Sequence, residues 1–178
     1  MKIIKYKLTS QNLQTYNKFQ WEVGKWVETS GEGKLCSSGW LHCYDSPLLA
    51  VLHNPIHAHI NNPRLFEVEV EGKEKRDGQL KCGYARMRLV KEIPLPEITT
   101  EQKIKYAIYC ALEVCKEAFF IRWANDWLSG KDRTTKAAEA AAEAAAEAAR
   151  AAEAAMRAAI ILETNIDLQE LAERALND

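Results

Sequence analysis

The strongest constraint on this chain is an alanine-rich run over residues 136–160, "KAAEAAAEAAAEAARAAEAAMRAAI", which contains sixteen alanines. Alanine has the highest helix propensity of the amino acids, so the run predicts a long helix. Over residues 135–163 this helix is about 43 Å long at 1.5 Å per residue, close to the diameter of a compact chain of this size. Its charged side chains fall within an arc of roughly 120°, because successive residues are about 100° apart: they are Lys136, Glu139, Glu143, Glu147, Arg150, Glu153 and Arg157.

The rest of the surface of this helix is almost pure alanine, which indicates a face that packs against another element. Small side chains allow a second helix to approach closely. Two interpretations stay open. The face packs on the aromatic side chains of Phe120, Trp123 and Trp127 in the same chain, or it binds a partner protein or a second copy through alanines such as Ala145 and Ala149.

Charge and composition exclude several classes of function. The alanine-rich run is long enough to span a bilayer, but each of its central charges would cost about 2.5–3.5 kcal/mol there. The formal net charge of −1 provides no general attraction to nucleic acid or anionic membranes. The first residues lack the apolar segment of a secretory signal, and the five cysteines have no paired spacing. We therefore expect a cytoplasmic protein with reduced thiols.

Residues 1–96 are predicted to form an α+β module with a mostly antiparallel sheet. "RLFEVEVEG" alternates apolar and acidic residues, an Asp77–Gly78 turn follows, and "YARMRLV" alternates again, which predicts a hairpin. "KIIKYKL" and "WEVGKWVE" are further strand candidates. Asp45 or Ser46 as the cap and Pro47 at the first helical position predict a short helix.

Residues 97–178 are predicted to form a helical module. Thr99 and Gln102 fit a capping box at the start of its first helix. The apolar face then rotates, which predicts a break near residues 116–119. Gly130 is expected to end the second helix, and Asp167 to begin the last one.

No motif in the chain specifies a metal site, a cofactor or a nucleophile. His53 and His57 are separated by Asn54–Pro55 and cannot share a helical face, and no cysteine pair has zinc-finger spacing. His42 and Cys43 are adjacent on a predicted strand and therefore point to opposite faces. The sequence predicts no metal and no cofactor.

Two charged strand faces are the remaining candidates for binding. Tyr84, Arg86 and Arg88 are predicted to line one face of a strand, which could meet nucleic acid. The neutral chain favours a solvated face instead. The carboxylates of Glu67, Glu69 and Glu71 are predicted to form the solvated face of the neighbouring strand.

The N-terminal part resembles a small domain found in phage and prophage proteins. "FQWEVGKWVETSGEGKLCSSGWLHCYDSPLLAVLH" followed by "RLFEVEVEG" carries the resemblance, at Trp21, Glu22, Val23, Gly24, Lys25, Gly39, Trp40, Cys43, Pro47, Glu67, Val68 and Glu69. The C-terminal half also resembles alanine-rich helical tails of such proteins. The resemblance implies a phage-type accessory protein in the host cytoplasm that binds a host protein, for example to inhibit a CRISPR effector or another defence nuclease.

A second resemblance, to ADP-ribosyltransferases, implies an alternative function as an enzyme that uses NAD. In that family a Val-Gly-Lys strand and a glycine-led strand precede a strand that ends in a catalytic glutamate. Val23–Lys25, Gly39–Tyr44 and the three glutamates Glu67, Glu69 and Glu71 match those elements. The first-strand Arg or His that holds NAD and the Ser-Thr-Ser signature are absent from the sequence, so the binding function is the leading hypothesis.

Overall fold

The computed structural model describes residues 3–131, 133–134 and 166–178. They divide into two compact units, Met1–Pro96 and Glu97–Asp178, at the position where the composition changes. The prediction of an α+β fold with helices at the C-terminus is confirmed. The alanine-rich run, with Ala145 and Ala149, lies outside the described residues.

The described residues of the first unit form seven strands and two short α-helices. In chain order the strands are β1 (Ile3–Thr9), β2 (Gln14–Thr15), β3 (Phe19–Gln20), β4 (Val27–Glu28), β5 (Leu41–Cys43), β6 (Arg64–Asp77) and β7 (Lys81–Ile93). Helices α1 (Pro47–Leu52) and α2 (Asn54–His57) lie between β5 and β6. The Ser46 hydroxyl accepts a hydrogen bond from the amide of Leu49 and caps α1, as predicted.

The main sheet is antiparallel and closes on itself. Its strand order is β1–β6–β7–β4, and β5 pairs with the first residues of β7. The residue after β5 then returns to β1: the Tyr6 amide donates to the Tyr44 carbonyl at 3.0 Å, and the Tyr44 amide to the Tyr6 carbonyl at 2.8 Å. Strands β1, β6, β7 and β5 therefore surround a common interior.

That interior holds the core of the unit. Phe66, Val68 and Val70 point into it from β6, which confirms the predicted alternation and hairpin. Trp21 is also buried there, although the segment "WEVGKWVE" forms a strand only at Val27–Glu28. The strand prediction for its first half is wrong, because the chain turns at Gly24, whose φ is +82°.

The second unit begins with α3 (Thr100–Val114) and continues with α4 (Ala118–Leu128) and, at the C-terminus, α5 (Leu168–Asn177). The capping box of Thr99 and Gln102 and the break after α3 are both present, as predicted. The Asp167 carboxylate caps α5. The Tyr109 hydroxyl donates to the Asp178 carboxylate at 2.8 Å and ties α3 to the end of α5. No helix in the described part of the chain is long and apolar enough to cross a membrane.

Candidate functional site

The three glutamates of β6 do not form the solvated face that the sequence predicts. Glu69 is only 6% exposed and accepts a hydrogen bond from Nε of Arg88 at 2.7 Å. Glu71 is exposed and pairs with Arg86, and Glu67 is half-buried. The prediction of a solvated face is wrong at Glu69, because the cross-strand arginine and neighbouring strands cover its carboxylate.

The prediction that Tyr84, Arg86 and Arg88 share one strand face is also wrong. Tyr84 is buried in the core of the sheet, whereas the two arginines are half-exposed. The reason is an irregularity in the hairpin, where the register of β6 against β7 shifts between Glu71 and Glu74. Such a bulge reverses the in–out alternation of a strand.

The two arginines have partners within their own unit. Their guanidinium carbons lie 4.2 Å (Arg86) and 4.8 Å (Arg88) from the centre of the Trp26 ring. Arg86 also pairs with Glu28 and Glu71, and Arg88 with Glu69. Their charges are therefore largely balanced, which weakens this surface as a binding site for phosphates.

Two of the histidines lie beside Tyr44 at the junction of β5 with the short helices. The Tyr44 hydroxyl and Nδ1 of His57 form a hydrogen bond at 3.3 Å, and the two rings are stacked. Nδ1 of the buried His53 lies 3.1 Å from the Leu80 carbonyl. Burial, with the nearby charge of Lys81, lowers the pKa of His57 to about 3, so this imidazole is neutral at physiological pH.

The histidines of this region do not form a metal site with other residues that the structure describes. In residues 3–131, 133–134 and 166–178, no group of three or more His, Cys, Asp or Glu side chains has the geometry to hold a metal ion. The histidines instead form hydrogen bonds to the backbone and to a tyrosine. The arrangement connects the end of β5 with α2 through the hydrogen bond and the stacked rings of Tyr44 and His57.

Two lysines of β1 point into the interior of the sheet, a feature that sequence reasoning missed. Lys5 lies opposite Val68 and Lys7 opposite Phe66 in the register with β6. The Lys7 amine donates to the His42 carbonyl at 2.6 Å and lies 4.9 Å from the centre of the Trp21 ring. Burial lowers the pKa of Lys7 to about 8.

A polar network continues from Lys5 toward the end of the interior. Asp45 accepts from both Lys5 and Arg76, and Arg76 also pairs with Glu74 at 2.6 Å. Tyr84 hydrogen-bonds to Glu74, and burial, together with the contact with this carboxylate, raises the pKa of the phenol. These groups neutralise one another and are held by the closed sheet. They support the fold, and we identify no exposed nucleophile among them.

Whereas β1 buries the charged side chain of Lys7, the β2–β3 hairpin exposes aromatic side chains. Tyr16 is 87% exposed and Phe19 is 42% exposed, and Val23 follows on the next loop at 53%. Three of the seven exposed large apolar residues of the described chain thus lie within eight positions. We define Tyr16 and Phe19 as the hairpin tip.

The tip is held in a defined conformation. The Phe19 amide donates to the Tyr16 carbonyl across a turn whose central residues, Asn17 and Lys18, have φ of 55° and 56°. Positive φ is unfavourable for residues other than glycine, and lysine lacks the short polar side chain that could offset this cost through a local hydrogen bond. The buried Trp21 anchors the hairpin: its indole donates to the Thr15 hydroxyl at 3.0 Å. A turn anchored by Trp21 therefore presents the two exposed rings.

The aromatic residues of α4 pack within the helical unit. Trp127 is buried with Ile104 and Ile108 of α3, and Phe120 and Trp123 pack against the same cluster. These three rings were predicted to contact the alanine-rich face. Ala145 and Ala149, the other residues of that prediction, lie outside the described residues, so the prediction stays open.

Comparison with known proteins gives a match for the first unit. Residues 3–101 match the family model described as "Domain of unknown function (DUF7666)". The match covers the closed sheet, the β2–β3 hairpin and both short helices, and it ends at the start of α3. No curated protein and no solved structure matches the chain.

Proposed function

We propose that this chain, which belongs to the DUF7666 family, acts by binding a protein partner and that the hairpin tip forms part of the contact. The observation that carries the proposal is the exposure of Tyr16 and Phe19 on a turn of defined conformation. Tyrosine and other aromatic side chains are enriched among the residues that dominate binding energy at protein interfaces. A rigid hairpin also loses little conformational entropy when a partner binds.

The other chemical groups of the first unit favour binding over catalysis. Lys5, Asp45 and Arg76 are paired with one another, and the imidazole of His57 is neutral and stacked on Tyr44. Catalytic groups need a side chain that is free to reach the substrate, and these groups are engaged with one another. An interaction surface requires only exposed, well-positioned side chains.

A protein fits the surface better than a nucleic acid does. Arg86 and Arg88, which lie against the half-buried Trp26 ring, are balanced by carboxylates of their own unit. The formal net charge of the chain is −1. A nucleic-acid site would need unpaired cations along the backbone of its ligand. The hairpin instead offers two exposed aromatic rings and a single lysine, Lys18, at its turn.

For the partner, we favour a cytoplasmic protein of a phage host. The resemblance of Trp21–Lys25 and of the Gly39–Cys43 segment to phage and prophage domains supports this class. A host defence effector, such as a CRISPR effector or another nuclease, is the target we propose within it. This last step depends on analogy between small phage proteins rather than on a site in the molecule.

The proposal is tested with three tagged baits in bacterial host lysate, analysed by quantitative mass spectrometry. The baits are the wild type, the double variant Tyr16→Ser/Phe19→Ser and the control Val90→Ser, which removes an exposed apolar side chain of the same unit. We expect at least one host protein to be enriched about ten-fold or more by the wild type and the control relative to the double variant. Circular dichroism of each bait verifies its fold. Equal capture by all three baits, or no enriched protein, contradicts the proposal.

A further inference from the structure

Cys43 and Cys82 face each other across the β5–β7 pair. They are direct partners in the antiparallel register, and their Sγ atoms lie 3.4 Å apart. Directly opposite residues in an antiparallel pair have Cβ atoms about 4.5–5.5 Å apart. A disulfide needs about 3.5–4.5 Å between those atoms. Bond formation therefore requires the two strands to approach each other by only about 1 Å.

The surroundings assign different roles to the two thiols. A hydrogen bond from Cys43 lowers the pKa of Cys82, and the charges of Lys5 and Arg76 act in the same direction. Burial raises the pKa of Cys43. The thiolate is the reactive form of cysteine, so Cys82 is the nucleophile and Cys43 the resolving thiol.

Strand β5 provides the route by which an oxidant reaches these buried thiols. It pairs with β7 over three residues, and its contacts with β1 are the Tyr6–Tyr44 backbone pair and the hydrogen bond from Lys7 to the His42 carbonyl. Short pairings open locally at a smaller cost in free energy than long ones. Movement of β5 away from the sheet exposes both thiols to a small oxidant while β6 and β7 stay paired.

We propose that Cys43 and Cys82 are a redox modification site that forms a reversible cross-strand disulfide in response to a hydroperoxide. The Cys82 sulfur attacks one peroxide oxygen, the O–O bond breaks, and the departing hydroxide leaves as water with the proton of the Cys82 thiol. The Cys43 sulfur then attacks the Cys82 sulfenic acid. The S–O bond breaks, and the second hydroxide leaves as water with the Cys43 proton. Two thiols are oxidised and one hydrogen peroxide is reduced to two waters.

The disulfide has a consequence for the fold, because it covalently fixes the strand that closes the sheet. Residue 44, next to Cys43, is the one that pairs with β1. The cross-link joins positions 39 residues apart. A loop of that length restricts the unfolded chain strongly, so we expect the melting temperature of the first unit to rise by about 10 °C on oxidation.

The experiment uses the full chain with Cys36→Ser, because Cys36 is exposed and lies in the same tryptic peptide as Cys43. The protein is treated with hydrogen peroxide, quenched with iodoacetamide, digested with trypsin and analysed by mass spectrometry. We expect peptide 35–64 linked to peptide 82–86, with the loss of two hydrogens and no label on either cysteine. Dithiothreitol should restore both free peptides and the original melting temperature.

Replacing Cys43 by Ala in the same background removes the resolving thiol. Dimedone should then capture a sulfenic acid on Cys82, and the linked peptide should be absent. The mapping of the Cys36→Ser protein stands by itself if this second variant does not fold. Unmodified thiols, a sulfinic acid on either cysteine, or a link to Cys110 or Cys115 in place of the expected pair would each overturn the proposal.

Discussion

Strand β1 and the β2–β3 hairpin are close in the chain but differ in which side chains they bury. Strand β1 buries the lysine Lys7, whereas the hairpin exposes the aromatic residues Tyr16 and Phe19. Lys7 has specific partners inside, the carbonyl of His42 and the ring of Trp21. The Tyr16 ring is 87% exposed and contributes little buried area to the fold, and the Phe19 ring is partly exposed beside Trp21. The comparison separates a polar group that the fold requires from apolar groups that are available for binding.

The largest expected effect concerns stability and compares the interior of the sheet, where Trp21 lies beside Lys7, with the hairpin tip. Trp21→Ala should lower the free energy of unfolding of the first unit by about 4 kcal/mol, because this large side chain is completely buried. Tyr16→Ala should change it by less than about 0.5 kcal/mol. Native-state hydrogen exchange of the β6 and β7 amides measures opening of this unit separately from the helical unit. Equal losses in the two variants would mean that the hairpin tip is part of the fold and not free for a partner.

The second prediction concerns the pH dependence that Lys7 imposes. Burial lowers the pKa of this amine from 10.5 to about 8, so between these values the unfolded chain holds a proton that the folded chain has released. The free energy of unfolding of the wild type should therefore rise with pH in this window by about 3 kcal/mol relative to that of Lys7→Met. Below pH 8 the curves of the two proteins should run in parallel. Urea titrations of both proteins between pH 7 and 10.5 measure this difference. Parallel curves over the whole range would show that the amine reaches water.

A smaller effect is expected at the charged pairs between β6 and β7. Glu69→Gln should cost about 1.5 kcal/mol, because the Arg88 guanidinium then loses the charge of a buried partner. Glu71→Gln is the matched control on the same strand and should cost less than about 0.5 kcal/mol, since its side chain is 53% exposed. Native-state hydrogen exchange of the β6 and β7 amides compares the free energies of opening of these two variants. A larger loss of stability in Glu71→Gln would contradict our assignment of Glu69–Arg88 as the buried pair and Glu71–Arg86 as the exposed one.

The smallest expected signal comes from the alternative enzymatic function. We expect no transfer of label from NAD to proteins of a host lysate, because arginines occupy the carboxylates of Glu69 and Glu71. The sequence also lacks a first-strand Arg or His to hold NAD. Autoradiography after incubation with labelled NAD is the measurement. Transfer that disappears on changing Glu67, Glu69 or Glu71 to Gln would favour the enzyme over the binding protein.

Local sequence signals predicted the elements of this protein well. Ser46 with Pro47, Thr99 with Gln102, and Asp167 each begin a helix. These signals succeed because a cap satisfies backbone amides within a few residues of itself, so the neighbouring sequence contains all the interacting groups. The alternation of β6 likewise predicted its inward-facing residues, because successive side chains of a strand point to opposite faces.

The choice of which face lies inside could not be predicted for β1. Its pattern alternates Lys5 and Lys7 with Tyr6 and Leu8, and hydropathy alone assigns the lysines to solvent. The structure turns them inward, opposite Val68 and Phe66. The partners that make this arrangement acceptable, such as the His42 carbonyl and Asp45, are about forty positions away in the chain. Similarly, no local signal predicted that Tyr16 would remain exposed.

The α+β class, the hairpin of β6 and β7 and the ends of the helices could be predicted from the chain alone, because short-range hydrogen bonds and side-chain periodicity specify them. The closure of the sheet by Tyr44 onto β1, the burial of Glu69 and the contact of Cys43 with Cys82 became visible only in the folded molecule. Each of these depends on the strand register and on contacts between distant segments. A shift of one residue in that register exchanges the faces of a strand, and no local propensity specifies it.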